Sequence, residues 1–209
     1  RHAKPLRVGL FQMRWNSDPK AHVARLHEGV ATCAHAGAEL VFLPELTLNR
    51  YPADKRPQAN KDRQPERLED GPTVTFTQEA ARANDVFVQV SLYEQADRDD
   101  GLGYNTAVLV GPSGKIVART RKLHIPVTEG YFEDCYFAQG PNETPYPVHS
   151  VVTDNADLQL GLPTCWDEWF PEVARSYGLG GADLLCYPTA IGSEPDHPGF
   201  NTRSLWQSV

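Results

Sequence analysis

The chain has 209 residues, of which 40% are apolar and 22% charged, and a formal net charge of −7. Those proportions suit a globular domain large enough to bury its own core, and they exclude low-complexity and collagen-like chains. The acidic balance offers no basic stripe to nucleic acid, and no apolar run approaches the roughly 20 residues of a membrane-spanning helix.

The opening stretch, RHAKPLRVGLFQM, has no apolar segment of signal-peptide length before it enters a strand pattern. It starts with Arg1 rather than Met, so at least one further residue is expected ahead of it. Leu6 to Phe11 reads as a first buried strand. Asp18-Pro19 then predicts a helix start, an acidic cap followed by proline in the first turn. Val23, Leu26, Val30 and Cys33 recur at helical spacing and form one apolar face, and Gly37 supplies a left-handed stop. Leu40-Val41-Phe42-Leu43 is a continuous apolar run, the pattern of a strand covered on both faces, and it ends at Pro44-Glu45.

From Asn49 to Gly71 the chain is polar and carries Pro52, Pro57 and Pro65. A segment of that length without an element predicts a lid over a site. Thr73 to Asn84 reads as a helix and Val86 to Leu92 as a strand. Tyr104 to Gly111 and Lys115 to Lys122, joined by Pro112-Ser113-Gly114, read as a β-hairpin. On its second strand Ile116, Ala118, Thr120 and Lys122 share a face by the two-residue period. Thr128 to Ser150 is a long connection rich in aromatics and prolines. A short strand over Leu158 to Leu162 leads into Pro163-Thr164-Cys165. A helix from about Phe170 to Leu179 follows, closed by Gly180-Gly181, then a strand over Leu184 to Tyr187 broken by Pro188. The alternation of strands and helices predicts an α/β fold in a single domain, 1–209.

Glu45, Lys122 and Cys165 share one situation, since each follows a predicted strand. Strand ends of α/β sheets converge on sites because a rigid scaffold carries the loops there. Brought together, the three groups would make a coherent chemistry. A helix start after Cys165 and an ammonium from Lys122 would both favour the thiolate, the reactive form. Glu45 could take the thiol proton and hand it to a leaving nitrogen. Lys122 and the backbone N–H of Trp166 could stabilise the oxyanion formed on attack at a carbonyl. The competing reading is bland: a lone cysteine is usually a small buried hydrophobe, and a lone glutamate or lysine usually meets solvent.

The words around these residues favour the chemical reading. Leu43-Pro44-Glu45-Leu46, Arg121-Lys122-Leu123-His124-Ile125-Pro126 and Cys165-Trp166-Asp167-Glu168-Trp169-Phe170-Pro171-Glu172 occur in that order. Together they resemble the nitrilase superfamily of carbon–nitrogen hydrolases. Tyr187-Pro188-Thr189-Ala190-Ile191-Gly192-Ser193-Glu194-Pro195 adds a resemblance to its N-carbamoylputrescine amidase and β-ureidopropionase branches. The resemblance implies Glu45 as general base, Lys122 as oxyanion stabiliser, Cys165 as nucleophile and Glu133, in Gly130-Tyr131-Phe132-Glu133, as a supporting second glutamate. It also implies an αββα four-layer sandwich, no metal, no organic cofactor, and a homodimer or larger homo-oligomer. The four cysteines, without a C-x-x-C pair, fit free thiols in a reducing compartment, the cytoplasm. Members of the family continue through further strands beyond this stretch, so the domain is expected to be C-terminally incomplete. Where the carbamoylputrescine amidases read roughly Asp-Ser-Arg-Asp-His-Trp, this chain has Asn201-Thr202-Arg203-Ser204-Leu205-Trp206, lacking an acid and a histidine.

The substrate that follows is a small linear amide or N-carbamoyl amine. Trp166, Trp169 and Tyr187 are candidates to line its pocket, with core packing as the competing role of such aromatics. Glu194 is a candidate for receiving an amine tail, or else a solvated loop acid. His22 and His27 are five apart and do not share a helix face, and no cysteine or histidine pair has zinc spacing. The alternatives are a β-ureidopropionase or ω-amidase type of hydrolase, with Arg203, Arg50, Lys55 or Arg56 receiving a carboxylate, or a truncated, non-catalytic remnant.

Overall fold

The computed structural model describes residues 5–59, 62–192 and 199–208. Its main sheet has five strands, β1 (Val8–Leu10), β2 (Leu40–Phe42), β3 (Phe87–Glu94), β4 (Tyr104–Val110) and β5 (Ile116–Arg121), in that spatial order. The first three run parallel, and β3, β4 and β5 are antiparallel neighbours. Helices α1 (Pro19–His35) and α2 (Pro72–Asn84) cover one face. That core holds Leu26 and Val30 of α1, Val74, Ala80 and Ala81 of α2, and Val41, Val88, Val90, Val108 and Val110 from the strands.

A two-stranded ribbon, β6 (Val127–Thr128) and β7 (Tyr131–Phe132), precedes the second sheet. That sheet contains β8 (Val148–Val152), β9 (Asp157–Gly161) and β10 (Leu184–Leu185), with β9 in the middle. The two sheets meet through Leu40, Phe42, Ala107, Leu109 and Ala118 on one side and Val151, Leu158, Leu160 and Leu162 on the other. Helix α3 (Pro171–Leu179) places fully buried Tyr177 against Gly161 of β9, where a Cβ would come within 2.6 Å of its ring. The layers are therefore helix pair, sheet, sheet and helix. A short helix α4 (Thr202–Trp206) ends the described chain.

The local signals explain these elements. The Asp18 side chain accepts from Lys20 N and Ala21 N, capping α1 just ahead of Pro19, and Gly37 sits at φ +85 beyond its end. Glu66 caps α2 from a distance, accepting the Thr73 N–H at 2.8 Å where Gly71 has no side chain to do so. In the hairpin turn Gly114 takes φ +79 and its N–H closes on Gly111 O at 2.8 Å.

Three expectations change. Among the described residues β1 is an edge strand, paired there with β2 alone, and Leu10 is 76% exposed. The Asn49–Gly71 segment is anchored: Ala53 is buried, Phe132 N donates to Ala53 O, and Glu66 bridges to Glu94 beside β3. It forms a fixed wall where a lid was expected. The Thr128–Ser150 connection contains β7, a 3-10 turn over Glu133–Cys135 and the start of β8.

Candidate active site

Glu45 stands three residues beyond β2, in a turn that Leu46 enters at φ +50 and that Thr47 ties down through its hydroxyl to Pro44 O. Lys122 is the first residue after β5, and its N–H bonds Asn105 O while its carbonyl accepts from Gly140 N. Glu133 opens the 3-10 turn after β7. Cys165 follows β9 by four residues. Sheet topology thus delivers four distant sequence positions to one end of the sandwich.

Glu45, Lys122 and Glu133 are buried, at 4%, 1% and 1% exposure. The Lys122 ammonium lies 3.2 Å from Glu45 Oε1 and 2.9 and 2.8 Å from the two Glu133 oxygens. The ammonium is thus shared between the two carboxylates. Glu45 has further donors, the Asn105 amide at 2.7 Å on Oε1 and the Ala190 N–H at 2.9 Å on Oε2. Ser91 donates to Asn105 Oδ1 at 3.0 Å, which turns the Asn105 NH2 toward Glu45. Tyr51 donates to Glu133 Oε1 at 2.9 Å.

The electrostatics follow from that burial. Desolvation alone would lower the Lys122 pKa, but the carboxylates of Glu45 and Glu133 beside it outweigh that and hold the ammonium charged. Glu133 is pushed up, to about 7, first by burial and then by repulsion from Glu45, with Lys122 pulling the other way. Burial and the Glu133 carboxylate push the Tyr51 phenol far up, so it stays a hydrogen-bond donor.

Cys165 lies beside this cluster at φ +45, in the left-handed region that non-glycine residues rarely take. It begins a five-residue 3-10 helix, Cys165–Trp169, whereas α3 starts only at Pro171. The helix start expected to favour the thiolate is therefore a single short turn. Lys122 does pull the thiol down, but burial first and the Glu45 and Glu133 charges with it push it well above the ordinary cysteine range. That direction favours the neutral thiol over the thiolate.

Glu45, Glu133 and Cys165 line one cavity of about 170 Å³. Trp166 and Trp169 form part of its wall, with ring centroids 4.8 Å apart, and Phe200, Leu205 and Trp206 close it from the α4 side. Tyr187 does not reach it. It lines an adjoining, more open groove with Val8, Leu10 and Cys186, while Ala190, three residues on, lines the cavity. Glu194 lies outside the described residues. Among the described residues no group of three or more His, Cys, Asp or Glu side chains is placed to hold a metal ion.

Sequence reading missed Tyr51, Ser91, Asn105 and the Ala190 N–H. The signal for Asn105 was a polar pair, Asn105-Thr106, leading into the apolar run Ala107-Val108-Leu109-Val110.

The carbon-nitrogen hydrolase family pattern matches residues 7–208. A citrullinase of Francisella tularensis is 32% identical over 98% of this chain and 68% of its own length. An N-carbamoylputrescine amidase of Solanum tuberosum is 33% identical over 97% of this chain and 64% of its own length. The crystal structure of a carbon-nitrogen hydrolase from Helicobacter pylori G27, 28% identical, superposes with a TM-score of 0.79 over 97% of this chain and 67% of that one. The chain thus spans about two thirds of the length of these relatives. With the family pattern covering nearly all of its length and the same layered architecture in the superposed structure, the chain belongs to the carbon-nitrogen hydrolase family.

Proposed function

We propose that this chain carries the catalytic half-sites of a hydrolase for a terminal N-carbamoyl amine or similar small linear amide, with Cys165 as nucleophile. The observation that supports this reading most is the gathering of Cys165, Glu45 and Glu133 around one small cavity, with Lys122 bonded to both carboxylates. The cavity is walled by apolar and aromatic side chains, which suits a short carbon chain beyond the reacting carbonyl. Two relatives named for citrulline and N-carbamoylputrescine, both terminal ureido compounds, point to the same scissile group.

In this reading Glu45 takes the Cys165 proton as sulfur adds to the carbonyl carbon. Proton transfer by a positioned carboxylate is worth about 10²–10⁴ in rate, and it is needed here because the thiol is held neutral. Negative charge develops on the carbonyl oxygen. The Lys122 ammonium and the Trp166 backbone N–H are the donors available to it, each worth roughly 3–4 kcal/mol when preorganised. The carbon–nitrogen bond breaks as Glu45 returns the proton to the leaving nitrogen, leaving a thioester on Cys165. Water then adds with Glu45 as base, the carbon–sulfur bond breaks, and the proton returns to sulfur. For an N-carbamoyl amine the products are an amine, CO₂ and ammonia. Glu133, oriented by Tyr51, keeps the ammonium aimed without taking part in bond changes. Assembly into a homodimer or larger oligomer is part of the same proposal.

The test is ammonia release from N-carbamoylputrescine, citrulline and N-carbamoyl-β-alanine by the chain and its Cys165→Ala variant. Release that disappears in the variant supports the proposal, and the preferred compound names the tail the cavity accepts. Equal release by both proteins, or none from folded protein with any of the three, would sink it.

A further inference from the structure

Lys122 and Cys165 hang on different sheets. Lys122 immediately follows β5 of the five-stranded sheet and Cys165 follows β9 of the three-stranded one, and no strand ladder joins the two sheets among the described residues. Their separation therefore depends on side chains that cross between the sheets. Asp167, 1% exposed, makes such a crossing. Its Oδ2 accepts the backbone N–H of Thr164, the residue before Cys165, at 2.9 Å. Its Oδ1 accepts the backbone N–H of His124, two residues after Lys122, at 2.9 Å. The same oxygen lies 2.8 Å from His124 Nδ1, and since a carboxylate only accepts, the ring nitrogen is the donor. The His124 ring in turn stacks on Phe170, centroids 3.7 Å apart and planes 13° from parallel.

We propose that Asp167 is a positioning residue that clamps the Cys165 turn to the strand end bearing Lys122, with the His124 ring holding the carboxylate in its bridging orientation. The proposal rests on the roles given above to Cys165 and Lys122. The backbone shows why a clamp is needed. Cys165 is held at φ +45, a conformation that persists only where its surroundings over-determine it. Backbone bonds at the ends of the turn run from Asp167 N to Thr164 O at 3.0 Å and from Phe170 N to Asp167 O at 3.3 Å. To these Asp167 adds a charged acceptor that reaches the N–H immediately before Cys165.

Asp167→Asn is the informative change. An asparagine keeps the shape but has one acceptor and one donor end, so either the Thr164 or the His124 N–H must face another donor. The expected result is a kcat about 100-fold lower with KM within about 3-fold, as for a small misplacement of reacting groups. Iodoacetamide labelling of Cys165, which needs no substrate, is expected to slow about 10-fold at neutral pH, because the thiol moves away from the Glu45 carboxylate that takes its proton and from the ammonium that stabilises the thiolate formed. Unchanged kcat and an unchanged labelling profile in folded Asp167→Asn protein would overturn the proposal, even with a lowered Tm, since Asp167 would then serve packing alone. Should that variant not fold, His124→Phe decides. It keeps the stack and the backbone N–H but loses the ring donor, so roughly 3–10-fold losses in kcat and labelling rate are expected, and wild-type values overturn the clamp. If the wild-type chain releases ammonia from none of the ureido compounds, the proposed function falls, while the labelling comparison still decides the clamp.

Discussion

The two sheets do unequal work. Strands β2, β3 and β4 are buried almost from end to end, covered by helices on one face and by the second sheet on the other. Strands β8, β9 and β10 are short, and several of their residues remain partly or fully exposed, Val152 at 66% among them. The heavily buried sheet carries Glu45, Asn105 and Lys122, and the lighter one carries Cys165. Buried charges require a scaffold that cannot relax around them, because each must keep its partners to offset the loss of water. The nucleophile of the proposed reaction needs access instead, and Cys165 lines the cavity. The charged groups thus sit with the more deeply buried sheet of this chain, and Cys165 follows the less buried one.

Removing Lys122 tests that division most severely. Lys122→Ala or Lys122→Met leaves Glu45 and Glu133 buried without their shared cation. Breaking a buried pair on one side costs about 3–5 kcal/mol, which for a domain of this size lowers Tm by roughly 10 °C. Activity is expected to fall at least about 10²-fold with the loss of an oxyanion donor. The carboxylates would relieve the strain by taking up protons, so the stability gap to wild type should narrow as pH is lowered. Thermal unfolding of the folded variants at several pH values checks this. A Lys122→Met protein as stable as wild type at neutral pH would show that the rigid sheet is not under electrostatic load.

Two buried glutamates then separate by pH. Glu94 is raised by burial, but its bonds to Arg121, the nearest at 2.6 Å, and to Thr106 outweigh that and set its pKa below the ordinary value. It therefore contributes stability that is present above about pH 4.3 and lost as pH falls through the lower folded value. Glu133 is held high, at about 7, so the folded chain binds its proton more tightly than the unfolded one. Stability is lost through Glu133 as pH rises from about 4.3 toward neutrality. Denaturant titrations from pH 3 to 8 should show Glu94→Gln with a flatter acid limb and Glu133→Gln with a flatter limb between about pH 4.3 and 7. Identical pH profiles in all three proteins would remove the distinction.

The same division explains what could be read in advance. Leu40-Val41-Phe42-Leu43 announces a doubly covered strand through a local run, and Pro44-Glu45 marks its end, so this part of the site is legible from adjacent residues. The partners of the ionisable cluster are not. Asn105 reaches Glu45 across 60 residues and Tyr51 reaches Glu133 across 82, and only the folded sheets bring them together. β6 and β7 are two residues each, too short for a period to show, and Val127 and Thr128 are exposed, which removes the apolar alternation as well. Leu6 to Phe11 reads as buried on composition, yet its place at a sheet edge is a property of topology that composition does not carry. Tyr187 precedes the cavity-lining Ala190 by three residues yet lines the adjoining groove, a difference that sequence proximity does not carry.

The smallest expected effect bears on the open sheet. Cys165→Ala and Cys165→Gly both delete the thiol, and activity through that nucleophile should vanish equally in the two. Their stabilities should differ. An L-residue at φ +45 places its Cβ against its own backbone, a strain of roughly 1–2 kcal/mol that glycine does not carry. Glycine also has more freedom to lose on folding, about 0.5–1 kcal/mol relative to alanine in a regular element. The strain term is the larger where the backbone is left-handed, so Cys165→Gly is expected to be more stable than Cys165→Ala by up to about 1 kcal/mol. Paired urea titrations resolve a difference of that size through the midpoint. An alanine variant at least as stable as the glycine one would mean that the turn relaxes once sulfur is gone. The left-handed conformation would then be imposed by the packing of the cysteine side chain and not by the clamp around it.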